Sequence, residues 1–242
     1  MYERARFLPA GDKAIAVELG DSISAVTNRR VRDLLETIES QDISGVMDLV
    51  PSYRSLLVYY DPLRVSLPQL TEQLSALEQN LDPVALHAPE VVEIPTLYGM
   101  EYGPDLAHVA EHNGLTPEEI IRIHSGADYL VYMMGFTPGF PYLGGMSERI
   151  ATPRLRTPRI VIPAGSVGIA EQQTGVYPIE SPGGWQLIGR TPVQLFDPLK
   201  DPPVIVEAGD FIRFVPITET TYYVIQQQVQ VGSYQLTTRD KR

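Results

Sequence analysis

Cysteine is absent from this 242-residue chain, which excludes a disulfide framework, a thiolate nucleophile and any Cys-rich zinc site. No stretch approaches the roughly 18 consecutive apolar residues that a membrane-spanning helix requires. The opening Met1-Tyr2-Glu3-Arg4-Ala5-Arg6-Phe7 also lacks the apolar run of a signal peptide, so a cytoplasmic location is expected. Basic residues are outnumbered, 19 Lys and Arg against 30 Asp and Glu, and the net charge of −11 would repel a phosphate backbone. Nucleic acid and membrane are therefore not expected partners. No G-x-x-x-x-G-K-[ST] phosphate loop occurs. His108 and His112 are four apart, but Val109-Ala110-Glu111 between them is not the H-E-x-x-H order and no third ligand accompanies them, so no metal site is expected.

What the chain does have is ample core material, with 43% hydrophobic residues, and its periodicity changes along the sequence. Ile15, Val17 and Leu19 alternate as in a half-buried strand. From Asp21 to Ser40 the apolar residues fall at helical spacing, with Asp21, Ser22 and Ser24 as candidate N-caps. Val46–Val50 and Leu56–Tyr60 read as a hairpin, and Leu67, Leu70, Leu74, Leu77 and Leu81 form the stripe of a second helix. With Glu90–Ile94 as a further strand, residues 13–94 give β-α-β-β-α-β, the split order of a ferredoxin-like α+β domain. The boundary is expected near residue 87, giving domains over 1–87 and 88–242.

Beyond it, Leu106–His112 reads as a short helix, and Thr116-Pro117-Glu118-Glu119 as the capping box of another that stops at Ser125-Gly126. Residues 128–134 read as a strand. Between Gly135 and Pro203 lie 11 of the 21 prolines and 10 of the 19 glycines, a density that forbids long helices. Short β-rich runs punctuate that zone: Arg159–Ile162, Ser166–Ala170, Val176–Ile179, Gln186–Ile188 and Val193–Phe196. Asp210–Ile217 follows as a strand, and Tyr222–Val231 is a candidate for another. Many short strands between turns argue for a mainly-β second domain, a closed or nearly closed barrel.

The motifs Gly135-Phe136-Thr137-Pro138-Gly139-Phe140-Pro141-Tyr142-Leu143-Gly144-Gly145, Val161-Ile162-Pro163-Ala164-Gly165-Ser166, Gln173-Thr174-Gly175-Val176-Tyr177-Pro178, Ser181-Pro182-Gly183-Gly184-Trp185 and Gly189-Arg190-Thr191-Pro192 resemble the allophanate-hydrolase-subunit-1 family. That family contains KipI, the B subunits of ATP-dependent 5-oxoprolinases and a segment of urea carboxylases. The resemblance spans residues 7–217 and implies a cyclophilin-like barrel for the second domain. It further implies a B-subunit role in converting 5-oxo-L-proline, ATP and water to L-glutamate, ADP and phosphate. Such a chain would be inactive alone and would work with an A subunit and a C subunit resembling KipA, or allophanate hydrolase subunit 2. The alternative is a KipI-like inhibitor that binds a sensor histidine kinase. Where the family has a Cys-Tyr-Gly-Gly type segment, this chain has Leu97-Tyr98-Gly99-Met100, so a thiol has no role here.

Opening a stable lactam requires a grip on the substrate carboxylate, activation of the carbonyl and stabilisation of a tetrahedral species. His124, Arg159 and Gln173 are the catalytic candidates, His124 for proton transfer and Arg159 as a bidentate clamp. Arg190, Ser166, Thr174 and Tyr177 are candidates for binding substrate or nucleotide. Phe136, Pro138, Phe140, Pro141, Tyr142 and Trp185 are expected at a pocket rim or partner interface. ATP is expected in the assembled complex, with much of its site on another subunit. The plain alternatives are a dipole-complementing His124 at a helix end and surface salt bridges for Arg159 and Arg190.

Overall fold

The computed structural model describes residues 2–81 and 89–241. The chain divides into two compact units, Met1–Ala88 and Pro89–Arg242; the boundary expected near residue 87 lies outside the described residues.

The first unit runs β1 (Arg6–Pro9), β2 (Ala14–Glu18), α1 (Ala25–Gln41), β3 (Val46–Pro51), β4 (Ser55–Tyr60) and α2 (Leu67–Gln79). Of the candidate caps for α1, Ser24 holds the position, its side chain accepting from the Thr27 N–H. The strands form an antiparallel sheet in the order β1-β2-β4-β3. Ile15, Val17, Leu56 and Val58 on one face pack with Val31, Leu34 and Ile38 of α1 and Leu70 and Leu74 of α2. Contrary to expectation, Glu90–Ile94 does not join this sheet. The edge beside β2 is taken by Arg6–Pro9, a run too short and too polar to stand out by periodicity.

The second unit contains β5 (Glu90–Tyr98), α3 (Leu106–Asn113), α4 (Pro117–Ser125), β6 (Tyr129–Met134), β7 (Pro141–Gly144), β8 (Arg159–Ile162), β9 (Ser166–Ala170), β10 (Gln173–Val176), β11 (Ser181–Gly183), β12 (Gln186–Arg190), β13 (Phe211–Pro216), α5 (Glu219–Gln230) and β14 (Thr238–Asp240). Seven strands run β10-β9-β12-β5-β13-β6-β7, with β14 paired to β5. The two ends, β10 and β7, lie side by side, so the sheet is a nearly closed barrel around Ile94, Val131, Val167, Ile188 and Phe214. β8 and β11 form a separate two-stranded ribbon.

Glu90–Tyr98 belongs here because β13 pairs parallel with it from Phe211↔Val91 to Pro216↔Thr96, and Val91, Val92 and Ile94 are buried. The capping box of α4 forms as expected: the Glu119 N–H donates to Thr116 Oγ1, and the Thr116 N–H donates to the Glu119 carboxylate. Three expected strands are not strands as read. Val176–Ile179 keeps only Val176, the last residue of β10, and Tyr177–Ile179 is irregular. Val193–Phe196 is irregular apart from one bridge at Phe196. Tyr222–Val231 lies almost wholly in α5, capped by Thr218 and held by Tyr222 packing with Leu97 and Tyr102. Tertiary contact there overrides the β-propensity of a Thr-Tyr-Val-rich run.

Candidate functional site

The turn after β6, the stretch around Arg154 and the segment from Tyr177 to Trp185 converge on a small cavity. After β6 the chain turns through residues 135–140, pinned by Gly135 N–H to Phe140 C=O and Phe140 N–H to Thr137 C=O. This places the Phe140 ring 5.7 Å from Trp185 and 5.6 Å from Tyr177, edge to face with both. Tyr142 stands 5.2 Å from Phe140 on the other side. Phe136, Tyr142, Tyr177 and Trp185 line with Phe140 a pocket of about 110 Å³, and Arg154 lines it too. Its guanidinium carbon is 6.0 Å from the Trp185 ring. The five aromatics expected at a rim or in binding thus meet in one place, although Phe136 and Trp185 are 49 positions apart in sequence. The two prolines expected with them do not line it: Pro138 is exposed in the turn, and Pro141 is buried at the start of β7.

Glycines make room for these rings. A Cβ on Gly175 would come within 3.0 Å of Trp185, and one on Gly183 would come 2.4 Å from the Tyr177 hydroxyl. Burial pushes the Tyr177 hydroxyl up to about 12, against the opposing pull of the Arg154 charge and the Trp185 backbone. At neutral pH it is therefore a neutral O–H donor. The position of Trp185 is fixed from both sides. Arg159 donates from Nη1 to the Trp185 carbonyl (3.2 Å) and from Nη2 to Asp105 (2.7 Å), whose other oxygen accepts the Leu187 N–H at 2.6 Å. Asp105 occupies the N-cap of α3 but makes no side-chain capping bond, because its carboxylate is committed to Arg159 and Leu187.

The remaining candidates lie elsewhere. His124 is fully buried and donates from Nε2 to Thr174 Oγ1 (2.7 Å); the Thr174 hydroxyl itself donates to the Gly168 carbonyl. Nδ1 must then accept from the Tyr98 hydroxyl, also at 2.7 Å. Burial drives the imidazole down to about 3, so it is neutral and both nitrogens are satisfied within the core. This geometry gives His124 and Thr174 a structural position, with no open face for proton transfer to a substrate. Arg159 is likewise engaged in an ion pair. Gln173 sits at the start of β10, half-buried. Ser166 is buried, its hydroxyl without a hydrogen-bond partner among the described residues. Arg190 lies at the end of β12 beside the hydroxyl of Tyr222, 6.0 Å from the Tyr102 ring. Tyr222 lines a larger cleft of about 430 Å³ that also carries Glu180, Thr191 and Gln226. The aromatic pocket is the better candidate, because it gathers the five expected aromatics beside Arg154, which has no ion pair among the described residues.

The family model described as carboxyltransferase domain, subdomain C and D, matches residues 5–206. The chain belongs to that family. Within it, the 5-oxoprolinase B subunit of Bacillus subtilis (strain 168) is 46% identical over 238 residues, 94% of this chain and 99% of that protein. The 5-oxoprolinase B subunit of Escherichia coli O157:H7 is 40% identical over 219 residues, 90% and 98% of the two chains. The solved structure of TTHA0988 is similar with a TM-score of 0.76 and 36% identity, over 85% of this chain and 40% of that longer one.

Sequence reasoning missed two residues of this carboxyltransferase-domain chain. Arg154 lies in the Thr152-Pro153-Arg154 stretch with no motif around it, and Asp105 reads only as part of a loop. Phe136 is legible in the sequence, and its backbone explains its place: φ is 64°, a left-handed conformation unfavourable for a bulky side chain, and the ring is 67% exposed. Replacing Phe136 by Gly is expected to leave the melting temperature unchanged or raise it by a few degrees, since about 1 kcal/mol of strain is relieved. Ligand binding at the pocket should weaken in the same protein. Calorimetric melting beside a binding titration checks both halves.

Proposed function

We propose that this chain is the B component of an ATP-dependent 5-oxoprolinase, which with A and C components opens 5-oxo-L-proline to L-glutamate as ATP is split to ADP and phosphate. The observation that carries this reading is the 46% identity to the Bacillus subtilis B subunit along 99% of that protein. These relatives give no support to the histidine-kinase alternative. We read the first unit as ferredoxin-like with its edge strand supplied from the N-terminal side, and the second as a cyclophilin-like barrel. The two-helix, four-stranded layer and the nearly closed sheet support that reading. A reaction that consumes ATP fits a cytoplasmic setting.

The residues present do not fit a triphosphate. The aromatic pocket is too small for a nucleotide, the 430 Å³ cleft is lined by Glu180 and no Lys or Arg, and in a third cleft of about 640 Å³ Arg239 and Lys241 are both paired to Asp128 beside Asp240. A triphosphate site needs convergent cations or a phosphate-cradling loop, so we assign nucleotide handling to another component. His124 and Arg159 then serve as framework: the first holds β10 to α4 through Thr174, the second holds Trp185 in place.

The test is ATP-dependent glutamate release from 5-oxo-L-proline by this chain alone and mixed with A and C components. Activity in the complete mixture, absent when this chain is omitted and absent from this chain alone, is the expected result. A complete, assembled mixture without activity would overturn the reading.

A further inference from the structure

Resting on the 5-oxoprolinase reading, we propose that the aromatic pocket of this chain is where the substrate's ring is held, with Arg154 recognising its carboxylate and the Tyr177 hydroxyl its amide. Size sets the first limit. At about 110 Å³ the cavity lies below the ~300–1,000 Å³ typical of drug-sized ligands, which leaves space for one small ring. The walls are the rings of Phe136, Phe140, Tyr142, Tyr177 and Trp185, suited to the apolar CH₂–CH₂ edge of a five-membered lactam.

Charge decides the class of ligand. A cage of aromatic faces ordinarily attracts a cation. Here the one charged group lining it is Arg154, no Asp or Glu lines the pocket, and its guanidinium has neither an ion pair nor a hydrogen bond among the described residues. An unpaired guanidinium beside a partly desolvated pocket favours an anion, and its planar fork matches a carboxylate bidentately. In a chain with a net charge of −11, such a locally cationic apolar pocket is a selective feature. The Tyr177 hydroxyl, kept neutral by burial, supplies a hydrogen-bond donor for the lactam carbonyl. A small cyclic amide bearing a carboxylate satisfies all three groups; a neutral prolyl ring would use the walls and leave Arg154 idle.

The chain's one tryptophan, Trp185, lines this pocket, so its fluorescence reports occupancy directly. The full chain would be titrated with 5-oxo-L-proline, with 2-pyrrolidinone, which lacks the carboxylate, and with N-acetyl-prolinamide as the neutral prolyl probe. We expect a saturable change with 5-oxo-L-proline, weakened about tenfold or more by Arg154→Gln while the response to 2-pyrrolidinone is unchanged. Arg154 is exposed, so the variant should melt like the parent. In the assembled enzyme the same substitution should raise KM for 5-oxo-L-proline by about tenfold and leave kcat within about threefold. No saturable change with the parent chain, tighter binding of the neutral prolyl probe, or an affinity indifferent to Arg154→Gln would each overturn the proposal. An active mixture whose KM ignores Arg154→Gln would refute the pocket and leave the assignment as a 5-oxoprolinase component standing. An inactive mixture beside Arg154-dependent binding would do the reverse.

Discussion

Between pH 6.5 and about pH 4.5 the chain is expected to lose roughly 2 kcal/mol of folding stability through His124 alone. Burial lowers the folded-state value of this imidazole to about 3 from an ordinary 6.5. Inside that window the unfolded chain binds a proton that the native chain refuses, so stability is complete above pH 6.5 and falls as pH drops. The refusal has a structural cause. A second ring proton would sit on Nδ1 against the hydroxyl that donates to it, in a shell of Tyr98, Tyr129 and Phe214 rings with no carboxylate. Urea unfolding of the parent and of His124→Gln at a series of pH values reads the difference. The variant, though less stable at neutral pH, should show a dependence flatter by that amount, since Asp128 and the other carboxylates are common to both. Equal slopes would mean that His124 titrates normally and is not sealed in the core.

Asp105→Ala is expected to cost about 3 kcal/mol, because it strands the half-buried Arg159 guanidinium and leaves the Leu187 N–H without an acceptor. For a unit of this size that corresponds to a fall in melting temperature of roughly 2–4 °C per kcal/mol. Arg159→Met should cost less, since the Asp105 carboxylate keeps the Leu187 N–H. The double variant should be more stable than the sum of the two losses implies, by about 2 kcal/mol. Trp185 emission should shift in Arg159→Met, whose carbonyl contact is lost. Additive losses with unchanged emission would free Arg159 from its framework role and return it to the candidates for substrate contact.

Local patterns were sufficient for much of the architecture. The stripe of leucines from Leu67 to Leu77, the alternation at Ile15, Val17 and Leu19, and the Thr116–Glu119 box each encode their structure within a few residues, because helix and strand periodicity and capping are short-range. The Gly and Pro density after Gly135 likewise dictated short strands, and spaced motifs single out the five aromatics of the pocket without any knowledge of their contacts. Other features depend on residues distant in sequence. β5 reads as an ordinary strand, and only the parallel ladder with Phe211–Pro216 decides that it serves the second unit. Tyr222–Val231 has the composition of a strand and folds as a helix because Tyr222 finds Leu97 and Tyr102. His124 carries the same side chain whether catalytic or structural; complete burial between Tyr98 and Thr174, 26 and 50 positions away, makes it structural. Arg154 is one arginine among several in sequence, and it is set apart only by what the fold places around it: aromatic walls and no acid. The sequence by itself determined the family, the mainly-β second unit and the aromatic content of the site, since those rest on local spacing. The tertiary structure decided which charged groups are spent on the framework and that Arg154 stands beside the aromatic pocket, since pairing and burial are properties of neighbours in space.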